Sequence, residues 1–101
     1  MAAPDDCGSK DQVRAEIDRL DRELVDLLGE RFSYVRRMAE LKHDPADASD
    51  PKRVEEVLAK VSAEAAEAGL DPNLVRTIWQ SLIDWNIAWE RLAIGPSGTQ
   101  P

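Results

Sequence analysis

Four residues of this chain carry charge or hydrogen-bonding capacity at positions that a helix ought to bury. Phe32, Val35, Met38 and Leu41 recur at helical spacing and mark one apolar face. Arg31 and Lys42 fall in line with Val35 and Met38 on that stripe, in the series 31, 35, 38, 42. At about 100° per residue, Arg36 and Arg37 point away from it or flank it loosely. From Arg31 to Lys42 is roughly three turns with about 20° of drift, so both cations project to one side, roughly 16 Å apart at the backbone. Later in the chain, Val75, Trp79, Leu82, Asn86 and Glu90 form a second stripe, whose last two members are polar and one turn apart. A charge facing a core is expensive unless it is paired or liganded. One reading is an internal ion pair from Glu90 to Lys42 or Arg31 that holds two helices in register. The other is a site for a small anion, and the net positive charge of two cations, an amide and one carboxyl favours it.

Arg14 bears on the same question. It precedes Arg31 by roughly 25 Å along a helix, too far to serve one small-ligand pocket within its own chain. In an antiparallel helix pair it approaches the Arg31–Lys42 region of a second chain, which makes each site the product of two chains. Taken alone, Arg14 reads as a solvated surface arginine.

The elements that must position these residues are helices. The first is expected over 10–42, with Val13, Ile17, Leu20, Leu24, Leu27, Leu28, Val35 and Met38 at steps of three and four and no proline. "HDPADASD" ends it, and Asp50 followed by Pro51 reads as an N-cap with proline at the first helical position. The second helix carries Val54, Val57, Leu58 and Val61 and stops at Gly69. Asp71 and Pro72 repeat the capping device and open a third helix through Leu74, Val75, Ile78, Trp79, Leu82, Ile83 and Ile87. The expected organisation is a loose N-terminal segment over 1–9, a helical domain over 10–94 and a disordered tail over 95–101. The fold class is all-α, with one long and two shorter helices. A first helix of roughly 50 Å overshoots a compact 100-residue domain, whose radius of gyration is about 13 Å. A second copy that covers the exposed stripe is the economical remedy, and it predicts an intertwined two-fold dimer.

Composition narrows the function. The 101 residues suffice for one small domain. A net charge of −7 argues against nucleic acid or an anionic membrane as the main partner. No apolar run is long enough to span a bilayer, and "MAAPDDCGSK" lacks signal-peptide architecture, so a cytoplasmic protein is expected. Cys7 is the only cysteine and His43 the only histidine, which leaves no internal disulfide and no zinc set.

"VRAEIDRLDRELVDLLGERFSYV" with Lys42 following resembles the first helix of the all-helical chorismate mutases, and the likeness extends over nearly the whole chain. "PDDC", "KRVEEVL" and "DWNIAWE" are similar to the branch that contains the isochorismate pyruvate lyases of salicylate synthesis. The resemblance implies an intertwined homodimer with two buried sites and no cofactor. It implies that Arg14 of the partner chain binds a substrate carboxylate and that Arg31, Arg53 and Lys42 complete an anion-binding set. It also implies that Lys42 and Glu90 bracket the substrate's ether oxygen, with Asp50, Asn86 and Ile87 as pocket neighbours. The substrate is then a dicarboxylate bearing an enolpyruvyl ether.

Two departures bear on which one. Many of the mutases place a glutamate directly after the arginine at position 53, where it contacts the ring hydroxyl; this chain has Val54, as the lyase branch tends to. Glu90 stands where a lyase of that branch carries glutamine, and leans toward a mutase working at mildly acid pH. The first reading is a chorismate mutase. The alternatives are an isochorismate pyruvate lyase, a 4-amino-4-deoxychorismate mutase, or a non-catalytic helical dimer that binds a metabolite or docks on a larger pathway enzyme.

Overall fold

The computed structural model describes residues 1–94, and those residues form helices joined by short connections, with no strand among them. The three α-helices are α1 (Lys10–Leu41), α2 (Pro51–Glu67) and α3 (Pro72–Ile94). Single 3-10 turns precede α1 at Pro4–Asp6 and α2 at Pro45–Ala48. The expected tail over 95–101 lies outside the described residues.

Each helix begins where a side chain replaces a missing backbone partner. Ser9 Oγ accepts from the Gln12 amide at 3.1 Å before α1, and Asp50 Oδ1 accepts from the Arg53 amide at 3.2 Å before α2. Asp71 Oδ1 accepts from the Asn73 amide at 2.8 Å before α3. In the last two cases proline takes the first helical position, where an amide proton would have no acceptor. α2 ends at Glu67, and the chain turns away at Gly69, whose φ of 76° lies in the left-handed region. There the Leu70 amide reaches back to the Ala65 carbonyl at 2.8 Å, a turn that a residue with a Cβ adopts only under strain.

The chain divides into two compact units, Met1–Tyr34 and Val35–Pro101. In the first, the segment before α1 is tied to the helix: the Ala2 amide donates to Glu16 Oε2 at 3.3 Å, and the Gly8 amide donates to Gln12 Oε1. Glu16 also accepts from Arg19 Nε at 2.9 Å. The apolar stripe of this unit, Val13, Ile17, Leu20, Leu24, Leu27 and Leu28, is exposed along its length.

The second unit holds the core. α2 packs on α3, and the Pro45–Ala48 turn packs on α3 as well. Leu58 and Ala65, two turns apart on α2, are buried, as are Val75, Ile83 and Ile94 on α3. Ala39, Ala48 and Ile94 make one cluster, with Ile87 and Trp89 packed against it. Full burial of a leucine contributes about 1.5–3 kcal/mol, so Leu58 is the largest single anchor on α2. No described helix is long and apolar enough to cross a membrane.

Candidate functional site

The site grows from the junction of three elements in the second unit. Lys42 follows the last residue of α1 and keeps its amide bonded to the Met38 carbonyl at 3.1 Å, so its backbone still continues the helix. The Pro45–Ala48 turn, capped by Asp44 through the Ala46 amide at 2.9 Å, folds the chain back over α3. α3 then presents Asn86 and Glu90 from one face, a turn apart.

Lys42 Nζ donates to Glu90 Oε1 at 3.1 Å. The Lys42 side chain is 22% exposed and that of Glu90 9%, so the carboxylate is the more secluded partner. Asn86 and Glu90 are the two polar residues buried among those described. The Lys42–Glu90 pair is neutral as a whole, yet Lys42 keeps further N–H groups and Glu90 further lone pairs for a ligand.

The other sequence-derived candidates are placed as follows. Ile87 is half-buried against the Ala39, Ala48 and Ile94 cluster, one residue from Asn86. Asp50 is exposed and spends its carboxylate on the cap of α2. Arg53 lies in the first turn of α2, largely exposed, and pairs with Glu56 at 3.6 Å. Arg14 and Arg31 belong to the first unit. Arg14 is exposed and sits 3.7 Å from Asp11, whereas Arg31 is half-buried. The second unit thus brings Lys42, Asn86, Ile87 and Glu90 together, while Arg53 and Asp50 serve the start of α2. Sequence reading did not single out the Pro45–Ala48 turn, whose Ala48 is buried at 4%. Its signal was present: Asp44 before Pro45 is the same cap-and-proline pair that opens α2 and α3.

Glu16 lies outside this junction, on α1 in the first unit. Its hydrogen bond from Arg19, and next the one from the Ala2 amide, hold it below its ordinary value of 4.5.

Comparison with known proteins gives a consistent picture. The chorismate mutase type II family profile matches residues 13–91. The chain is 35% identical over 88 residues to an isochorismate pyruvate lyase of Pseudomonas aeruginosa, covering 87% of each protein. It is 28% identical over 81 residues to a chorismate mutase of Methanocaldococcus jannaschii, covering 79% of this chain and 82% of that one. It is 31% identical over 74 residues to a 4-amino-4-deoxychorismate mutase of Streptomyces pristinaespiralis, covering 72% of this chain and 57% of the relative.

Proposed function

Because the chain belongs to the chorismate mutase type II family, we propose that it converts chorismate to prephenate at a site built around Lys42 and Glu90. The observation that carries this reading is the secluded Lys42–Glu90 pair at 3.1 Å, with buried Asn86 one turn away. The rearrangement is pericyclic and calls for no nucleophile. The enzyme must hold the enolpyruvyl side chain over the ring, which removes an entropic part of the barrier. It must also stabilise the negative charge that grows on the ether oxygen as the C–O bond breaks, and preorganised donors do this best. Lys42 is one such donor. Glu90 is a second when it carries a proton, because an ionised carboxylate only accepts hydrogen bonds.

The substrate's carboxylates need cations of their own. In this reading Arg31 and Arg53 of one chain and Arg14 of a partner chain supply them, as the family resemblance implies. The two chains form a homodimer through α1, whose apolar stripe from Val13 to Leu28 is exposed in the single chain. The acidic surface, with a net charge of −7, suits docking on a larger pathway enzyme. The location is cytoplasmic.

Elimination of pyruvate from isochorismate is the second reading. Val54 in place of a glutamate beside Arg53 favours it, as does the 35% identity to the Pseudomonas lyase. An amino-substituted chorismate is the third, through the likeness to the Streptomyces mutase.

A paired assay of the purified protein tests these readings. Chorismate and isochorismate are supplied separately, and prephenate, salicylate and pyruvate are quantified at several pH values. Prephenate formation dominating supports the mutase. Faster release of salicylate and pyruvate from isochorismate replaces it with the lyase. Turnover of neither compound overturns both.

A further inference from the structure

We infer that Ile94 is a positioning residue of this site. Packed with Ala39 and Ala48 in one buried cluster, it sets how closely the end of α1 lies on α3 and so holds Lys42 Nζ at Glu90. The inference rests on the proposed reaction class and adds the packing contact through which the lysine is kept in place.

Lys42 lies one residue beyond α1 and has little of its own to hold it there. Its side chain is 22% exposed, so water competes with Glu90 for the ammonium. An ion pair that water reaches contributes little, and ordering a long flexible side chain costs rotamer freedom. The 3.1 Å contact joins residues 48 apart in sequence, and its two backbone ends must be set by something else.

The cluster of Ala39, Ala48 and Ile94 stands where that is needed. Ala39 precedes Lys42 by three residues on α1, and Ile94 follows Glu90 by four on α3. Each therefore lies about one turn from one partner of the pair. Ala48 comes from the turn that links α1 to α2 and packs on α3. The apolar cluster and the ion pair are two successive rungs between the end of α1 and the end of α3.

The residue sizes fit this role. Ile94 is 2% exposed although it closes α3, where helix ends usually fray. The two residues packed with it are alanines, which bring no rotamers, so Ile94 supplies the bulk that spaces the elements. Removing carbons from Ile94 leaves a gap that its neighbours close only in part, and the helix end that carries Lys42 shifts with them. A donor misplaced by about 1 Å costs about a hundredfold in rate. The loss falls on kcat, because the donation strengthens in the transition state.

The test compares the parent with Ile94→Val, Ile94→Ala and a control, Val75→Ala, which opens a gap in the same helix roughly 22 Å from Glu90. Kinetics use chorismate, or isochorismate where the parent prefers it, under conditions in which circular dichroism shows each variant folded. kcat should fall about threefold in Ile94→Val and about ten- to a hundredfold in Ile94→Ala, with KM within about twofold. Val75→Ala should lose stability and keep kcat within about twofold of the parent. A second measurement needs no turnover. Urea unfolding is followed for Lys42→Met, for Ile94→Ala (Ile94→Val where the larger deletion does not fold) and for the two combined. If Ile94 holds the pair, the combined change in the unfolding constant should fall short of the product of the single changes by at least about twofold.

Unchanged kcat in the Ile94 variants overturns the inference, and so does an equal loss in Val75→Ala. Unfolding effects that simply multiply overturn it as well, whether or not the parent is active. A parent that turns over neither compound while the unfolding effects stay coupled is a different result: it removes the reaction class and leaves the placement of Lys42 by Ile94 standing.

Discussion

Lys42, at the end of α1, and Glu90, on α3, meet through an Nζ–Oε1 contact of 3.1 Å across the junction of the second unit. The pair has two consequences that separate under mutation. As a structural contact it neutralises a carboxylate that is 9% exposed. In the proposed reaction it sets an ammonium where charge develops. Lys42→Met removes both, and the two losses differ in size. The unpaired carboxylate should lower stability by about 1–3 kcal/mol, less than a sealed pair loses, because Lys42 keeps access to water. Turnover should fall at least about a hundredfold. The double variant Lys42→Met with Glu90→Gln should recover the stability and not the turnover. Turnover that recovers together with stability would mark the pair as purely structural.

In the proposed reaction a donor at position 90 assists the ether oxygen, and an ionised carboxylate only accepts hydrogen bonds. Glu90→Gln supplies an N–H donor of the same length and should hold kcat at or above the parent's level. Glu90→Leu, which has no donor, should lower it about a hundredfold. Equal kcat in the parent and both variants would remove position 90 from the role of donor.

Much of this junction is readable in the amino-acid sequence because burial and polarity conflict there. Lys42, Asn86 and Glu90 break apolar stripes at helical spacing, and such breaks point to a pair or a ligand. The caps were equally legible, since Asp50–Pro51 and Asp71–Pro72 announce helix starts through chemistry local to a few residues. The Pro45–Ala48 turn carries the same Asp–Pro signal at its start, but its packing on α3 depends on distant residues and has no local pattern to announce it. Arg53 illustrates a further limit. Only the family resemblance implies an anion-binding role for it, and its guanidinium pairs with Glu56 one turn along α2 in the single chain. No pattern in the sequence chooses between that neighbour and a ligand.

In the first unit, Glu16 links the N-terminal segment to α1 by accepting from Arg19 and Ala2. Its folded value lies below 4.5, so the unfolded chain takes up the proton first as pH falls. The resulting stability is fully present above the unfolded value and is lost as pH drops through the folded one. Glu16→Gln should therefore denature at lower urea concentration than the parent near pH 7. The gap should close as the acid range below 4.5 is crossed. A gap that persists or widens in acid would show that the carboxylate's charge is not what holds the segment.

The assignment of Arg14 to a partner chain makes a prediction that no single-chain site shares. Arg14→Ala and Lys42→Met should each be nearly inactive as homodimers. When equal amounts are unfolded and refolded together, half of the dimers contain one chain of each kind. In such a mixed dimer one site collects both substitutions and the other collects neither. Activity should return to about a quarter of the parent's, the product of half the dimers and half their sites. Sedimentation of the parent should give twice the chain mass. Mixing that restores nothing, with dimers confirmed by sedimentation, would place Arg14 and Lys42 in separate functions or within one chain. Recovery near a quarter ties Arg14, 3.7 Å from Asp11 and exposed in the isolated chain, to a site completed by its partner.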